Sequence, residues 1–475
     1  MCGIVGYVGY DEAAGKIIEG LKKLEYRGYD SSGIAVLSDK GIELNKCKGE
    51  IENLENMIAG RVPSGTCGIG HTRWATHGAP SDVNSHPHMD QSGRVALVHN
   101  GIVENYVELK EALIKEHGIK FKSETDSEVI AQLVGVKYNS NGGDLEKAVY
   151  DATKEMRGTY AIGVIAEDTP NKIVAYRKEA PLIAGIGRKS NFIASDIPAL
   201  LKYTNDIFLI ENDEMVVCTP DSITIKDKDG KEVKREAMKI TWSVEDAEKG
   251  GYEHFMLKEI NEQPKVVAET LNRRIDEDGK IKLDGINLTK EELDKYNKIY
   301  IVACGTAYHA GLVGKYVIEK MAGIAVEVDV ASEFRYRDPF IDENTLFIAI
   351  SQSGETLDTL MSLRLAKEKG ARVLSVVNVV GSSIARESDD VFYTWAGPEI
   401  AVASTKAYTT QLVCMYLIAL YLGDIRGTLT EEYREFILGE LQQIPEKIQE
   451  ILEESPYIEK LAKRLYNKTQ VFFIG

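Results

Sequence analysis

The hydrophobic pattern of this chain changes near residue 295, and that change constrains its fold more than any other feature. Before it, short β-prone runs end in glycine-rich turns: residues 2–9 (CGIVGYVG), 33–37 (GIAVL), 95–100 (VALVHN), 160–166 (YAIGVIA), 172–177 (KIVAYR) and 192–196 (FIASD). Apolar residues at helical spacing predict two helices among them, near 11–25 and 126–138. This is an α+β sandwich pattern rather than a regular βαβ alternation. After it, strand and helix alternate: KIYIVACG (298–305), a helix over 307–321, VEVDVAS (326–332), TLFIAIS (345–351), a helix over 356–369, then RVLSVVNV (372–379). That order predicts a parallel, doubly wound sheet.

The chain divides accordingly. Residues 2–220 form a first domain. Residues 221–285 are a charged hairpin (222–240) and a linker with a leading helix containing Pro264. Residues 286–430 form the doubly wound domain. A short repeat marks the rest: Tyr296-Asn297-Lys298 precedes a strand ending at Gly305, and Tyr466-Asn467-Lys468, offset by 170 residues, precedes a segment ending at Gly475. Residues 431–475 are thus expected to be connecting helices and the first strand of a second, incomplete copy. A parallel strand needs both faces covered, so the chain is expected to be part of a longer protein.

With 57 basic and 74 acidic residues the net charge is −17, a poor match for nucleic acid or anionic membranes. The longest apolar run, Leu412 to Leu422, has 11 residues, short of the roughly 20 that span a bilayer. The first residues resemble no signal peptide. Six cysteines without a CxxC pair suit reduced thiols in a cytoplasmic protein.

Cys2 is the sharpest chemical signal. Removal of Met1 would leave a residue with both a thiol nucleophile and a free α-amine, whose ordinary pKa of about 7.7–8.0 suits a general base. Five of the eight histidines lie between 71 and 99. Asn100 can offer an amide N–H and Gly101 a backbone N–H to an oxyanion. Arg73 and Asp126 can pair with the carboxylate and ammonium of an amino-acid substrate. Ser123 or Thr125 can cap the helix that Asp126 opens. For His71, His77 and His99 a hydrogen-bonded core role is the first reading. His86-Pro87-His88 has no carboxylate or thiolate set beside it, so neither a metal nor a cofactor is expected.

Cys2-Gly3-Ile4-Val5-Gly6, RGYDSSG (27–33), HTRWATHG (71–78), His99-Asn100-Gly101 and SETD (123–126) together resemble the class II, N-terminal-nucleophile glutamine amidotransferases over residues 1–240. The resemblance implies a four-layer α/β/β/α sandwich and a γ-glutamyl thioester on Cys2 that releases ammonia. It implies L-glutamine binding by Arg73, Thr76, His77 and Asp126, an oxyanion hole of Asn100 and Gly101, and an ammonia-channel gate at Trp74.

In the second half, Ser351-Gln352-Ser353-Gly354-Glu355-Thr356 turns a strand into a helix with hydroxyls and fresh N–H groups converging, a phosphate site without the Lys of a P-loop. Cys304-Gly305-Thr306 and Val402-Ala403-Ser404-Thr405-Lys406 also stand where open α/β sheets bind ligands. Cys304 itself is read as an inert strand-terminal thiol. With ASEFRYR (331–337), these segments resemble the sugar isomerase domain. The whole chain resembles the isomerising glutamine–fructose-6-phosphate aminotransferase family. That implies fructose 6-phosphate held by Thr306, Ser351, Gln352, Ser353, Thr356 and Val402, and a homodimer. Ala307 departs from the Ser that many members carry, removing one hydroxyl near the sugar. The resemblance also implies that a Schiff-base lysine, an isomerisation glutamate and a ring-opening histidine lie beyond residue 475. Two other readings stay open: a sugar-phosphate-binding regulator with a retained glutaminase domain, and a phosphoribosyl amidotransferase, for which no pyrophosphate loop with paired acidic residues is evident.

Overall fold

The computed structural model describes residues 2–75, 78–240, 249–275, 281–283, 285–286 and 288–472. The chain forms two compact units that divide between residues 247 and 248.

The first unit contains two antiparallel sheets. One runs, edge to edge, Met238–Lys239, Asp206–Leu209, Ile183–Gly187, Ser190–Ala194, Gly3–Gly9, Cys67–Arg73, Ser31–Ser38, Gly41–Lys48. The other runs Glu232–Val233, Ile223–Lys226, Glu214–Cys218, Ile173–Lys178, Gly158–Ala166, Val95–Val103, His88–Met89. Strand alternation builds the layers. On strand Val95–Val103, Ala96 and Val98 join Ile4, Ile69, Ala161 and Ile193 between the sheets. Val95 and Leu97 point the other way, against Val129, Ile130 and Leu133 of helix Asp126–Ser140. Helices Ala13–Lys22 and Ile51–Ile58 cover the outer face of the first sheet. The result is the expected α/β/β/α sandwich.

Three helices here exceed the two that periodicity predicts. Tyr106–His117 fully buries only Leu113, with Tyr106 and Leu109 partly buried on the same face, so its apolar stripe is narrow. Ile51–Ile58 is short. Leu145–Glu155 buries Leu145, Ala148, Val149 and Ala152 behind an Asp144 cap, a proper helical stripe thinned by its two alanines. The charged hairpin holds for Ile223–Lys226 against Glu232–Val233, whereas Met238–Lys239 crosses to pair with Asp206–Leu209 in the other sheet.

The second unit is a five-stranded parallel sheet ordered Ala325–Val330, Lys298–Ala303, Thr345–Ser351, Arg372–Val377, Asp390–Tyr393. Helices Gly305–Ala322 and Lys406–Arg426 pack on one face. Helices Ala331–Phe334, Leu357–Glu368 and Ser383–Glu387 cover the other. From the adjacent parallel strands Lys298–Ala303 and Thr345–Ser351 the sheet grows in opposite directions, so their C-terminal ends flank the crevice of a topological switch point. Helix Lys406–Arg426 is long and apolar enough to cross a membrane, but Val413, Cys414, Met415, Leu417 and Ile418 pack in the core.

Helix Phe255–Asn272, with Pro264 inside, packs on Lys406–Arg426 and on Glu431–Glu453. Helix Ser455–Leu465 buries no residue. Residues 469–472 belong to no strand, and the rest of the expected terminal strand lies outside the described residues. All six cysteines are free thiols.

Candidate active sites

In the first unit, the antiparallel register sets Gly3 opposite Thr72 and Ser31 opposite Arg73. Cys2 therefore arrives beside the end of strand Cys67–Arg73, where the Trp74 N–H donates to its Sγ at 3.3 Å. The Asn100 amide donates to the Cys2 carbonyl at 3.0 Å. Burial pushes the Cys2 thiol up, only partly offset by the Trp74 N–H and the Arg73 charge. A standing thiolate is thus disfavoured, and a base is needed to take the proton.

Gly101 follows Asn100 at φ +116°, and a Cβ there would fall 2.0 Å from the Thr159 carbonyl oxygen, so no side chain fits beside this N–H. Arg73 is buried, donates through Nη2 to the Gly78 carbonyl at 3.0 Å, and feels the charges of Cys2, Asp126 and Asp30. Asp126 begins its helix after the cap Thr125, whose hydroxyl accepts from the Glu128 N–H. One Asp126 oxygen accepts from the Val103 N–H at 3.0 Å. The Trp74 ring meets Tyr29 edge-on and is half-exposed. Cys2, Arg73, Trp74, Asn100, Gly101 and Asp126 thus converge. Thr76 and His77 lie outside the described residues.

Four histidines, 71, 86, 88 and 99, are buried behind this group. His71 stacks on His86 at 4.1 Å, and His86 meets His88 edge-on at 4.9 Å. Desolvation pulls all four below the ordinary imidazole pKa, so they are neutral. His99 Nδ1 pairs with Ser127 Oγ at 2.8 Å, and His88 Nε2 with Thr125 Oγ1 at 3.1 Å. No group of three His, Cys, Asp or Glu side chains is set to hold a metal among the described residues.

In the second unit, strand Thr345–Ser351 delivers Ser351 to the crevice. Its hydroxyl lies 2.9 Å from Thr356 Oγ1 and accepts from the Gly354 N–H at 3.0 Å. Ser353 Oγ accepts from the Glu355 N–H at 3.2 Å. The Gly354 carbonyl accepts from the Ile384 N–H at 3.0 Å, and the Glu355 carboxylate accepts from the Ser383 N–H and hydroxyl at 2.7 and 2.9 Å. Helix Leu357–Glu368 starts directly behind, so its free N–H groups and dipole face the same loop. Thr306 is exposed in the first turn of helix Gly305–Ala322, at the neighbouring strand end, and Val402 is exposed on the 399–405 loop. Burial raises the Cys304 thiol, in keeping with an inert role.

Comparison with known proteins matches a glutamine amidotransferase domain to residues 71–202 and a SIS domain to residues 292–421. The glutamine–fructose-6-phosphate aminotransferase (isomerizing) of Clostridium tetani is 58% identical over 475 residues, covering 100% of this chain and 78% of its own length. The chain belongs to that family. An enzyme of the same name from Thermus thermophilus is 48% identical, covering 100% of this chain and 77% of its own. A solved structure, the C-terminal domain of glucosamine-fructose-6-phosphate aminotransferase from Francisella tularensis, is 43% identical and covers 46% of this chain and 62% of that one, with a TM-score of 0.44.

Several supports of these candidate sites escape sequence reasoning. Asp30 Oδ2 accepts from the Ala75 N–H at 2.7 Å and so pins the segment after Trp74. Its signal was its place in RGYDSSG. Glu259 accepts from the N–H groups of Ile400 and Ala401, at 2.6 and 3.1 Å, and Lys406 Nζ donates to Glu262 at 2.6 Å. These hold the Val402 loop from a helix about 140 residues earlier in the chain, a separation at which pattern carries no signal.

Proposed function

We propose that the two units divide one reaction between them. As a member of the aminotransferase family, the chain acts in the transfer of glutamine nitrogen to fructose 6-phosphate, giving glucosamine 6-phosphate and glutamate. Residues 2–220 release the ammonia, residues 221–285 connect, residues 286–430 hold the sugar phosphate, and helices Glu431–Glu453 and Ser455–Leu465 follow.

In the first half-reaction, loss of Met1 frees the Cys2 α-amine. That amine takes the thiol proton as Sγ attacks the glutamine Cδ. Asn100 and Gly101 N–H groups hold the oxyanion, and Arg73, Thr76, His77 and Asp126 hold the α-carboxylate and α-ammonium. The amine returns its proton to the leaving nitrogen, ammonia departs past Trp74, and water hydrolyses the thioester to glutamate. In the second, Ser351, Gln352, Ser353 and Thr356 bind the phosphate, with Thr306 and Val402 beside the sugar, while ammonia adds to its C2 carbonyl, the carbonyl oxygen leaves as water to give the imine, and a proton moves from C1 to C2 to give the amino-aldose. The homodimer and cytoplasmic location belong to this reading.

The observation that carries it is the double hold on Cys2: one N–H on its sulfur from Trp74, one on its carbonyl from Asn100. Cys2→Ala should abolish glutamine hydrolysis and leave fructose 6-phosphate binding intact. Residual hydrolysis within about tenfold of wild type, some 1.4 kcal/mol in barrier, would contradict it. Ammonia release that does not depend on fructose 6-phosphate would favour the regulator reading instead.

A further inference from the structure

We propose that His71 is a positioning residue that locks the amide of Asn100 with its N–H groups toward the glutamine oxyanion. The inference rests on Asn100 serving as an oxyanion donor.

His71 lies mid-sheet on strand Cys67–Arg73, opposite Ile4 and Gly33, and is fully buried. Its Nε2 is 3.0 Å from the His99 carbonyl oxygen and 2.9 Å from Asn100 Oδ1. Its Nδ1 has no hydrogen-bond partner among the described residues, and the ring face is occupied by His86. Burial takes the imidazole down to about 3, so it carries one proton at any working pH.

A backbone carbonyl can only accept. The single proton must therefore sit on Nε2, shared between His99 O and the facing atom of Asn100. That atom must then be the amide oxygen, because an NH₂ there would set donor against donor. The Asn100 NH₂ is left facing the Cys2 carbonyl, 3.0 Å away, with a second N–H free for substrate. In the reverse flip, Oδ1 would also oppose the Cys2 carbonyl oxygen, acceptor against acceptor. A chain of fixed polarity thus runs from the His99 carbonyl through His71 to Asn100. Without the imidazole N–H, only the Cys2 carbonyl holds the amide. In the flipped state Asn100 would present a lone pair to the developing negative charge.

The test is steady-state glutaminase kinetics of the full chain with wild type, His71→Asn, His71→Gln, Asn100→Ala and the double variant His71→Asn/Asn100→Ala. Glutamine reaches the Nε2 position with an N–H, whereas asparagine reaches only the Nδ1 position. Removing one oxyanion donor costs about 10²–10³ in kcat, so Asn100→Ala should lose that much. His71→Asn should lower kcat by about ten- to a hundredfold with KM for glutamine little changed, since a misdirected donor is a partial form of that loss. His71→Gln should recover most of kcat, and the double variant should be no worse than Asn100→Ala alone. If Asn100→Ala is impaired while His71→Asn matches wild type, or if both His71 variants fall equally, the positioning role is overturned and Asn100 stands. An unimpaired Asn100→Ala would sink the oxyanion reading itself. Should His71→Asn fail to fold, long-range ¹⁵N–¹H spectra of the histidine-labelled wild type decide: an Nε2–H tautomer for His71 from pH 5 to 8 is expected, and an Nδ1–H tautomer refutes the proposal.

Discussion

Gly354 to alanine is the perturbation whose size follows most directly from the proposed phosphate loop. Gly354 sits at φ +65°, and a Cβ there would lie 1.9 Å from Ser382 Oγ and 2.4 Å from Ser382 Cβ. Holding alanine in the left-handed region costs roughly 1–2 kcal/mol. The overlap is larger than side-chain rotation relieves, because Ser382 Cβ itself is in the way. Relief by backbone shift would strain two hydrogen bonds, Gly354 N–H to Ser351 Oγ and Ile384 N–H to the Gly354 carbonyl, each contributing about 0.5–1.5 kcal/mol. Loss of about 2 kcal/mol or more at the loop corresponds to at least about a thirtyfold rise in the dissociation constant for fructose 6-phosphate. Isothermal titration measures it, with glutaminase activity as the control for the other unit. Ser382 supplies a graded rescue. Gly354→Ala/Ser382→Ala removes the oxygen and should recover part of the binding. Gly354→Ala/Ser382→Gly removes both clashing atoms and should leave only the conformational cost. Binding by Gly354→Ala within about twofold of wild type, or a rescue that ignores this order, would refute the reasoning.

Two further outcomes test other parts of the account. Arg73→Lys keeps the charge but loses the planar fork, so KM for glutamine should rise strongly, and an unchanged KM refutes its pairing with the substrate carboxylate. Burial raises the Glu259 carboxyl to about 7 in the folded chain, so between the ordinary carboxylate range and pH 7 the folded state holds a proton that the unfolded state has released. Its contribution therefore favours folding at low pH and is lost as pH rises through that window. Thermal unfolding of Glu259→Gln should show a flatter dependence from pH 5 to 7 than wild type, and identical slopes would count against the buried titration.

Much of this was legible in the sequence because strand periodicity and glycine placement report burial directly. Ala96 and Val98 against Val95 and Leu97 separate the two faces of one strand. The strand-to-helix turn from Ser351 to Thr356 reads from its hydroxyls and its glycine alone. What stayed hidden is what tertiary distance creates. The bracing of the Ser351–Thr356 loop by Ser383 and Ile384, the hold of Glu259 on the Val402 loop, and the polarity that His71 passes to Asn100 join residues with no local pattern between them. Helix Tyr106–His117 went unread for a different reason: its stripe of Tyr106, Leu109 and Leu113 is narrow, and only Leu113 is fully buried.

The central claim is that Cys2, freed of Met1, carries the glutamyl group. Acid-quenched enzyme mixed with excess glutamine, analysed by intact and peptide mass spectrometry, tests it most directly. The account predicts an N-terminal peptide beginning at Cys2, with a single glutamyl adduct on that residue that disappears on longer incubation without glutamine and never forms in Asn100→Ala at the wild-type rate. An active enzyme that retains Met1, or an adduct on any other residue, would contradict it.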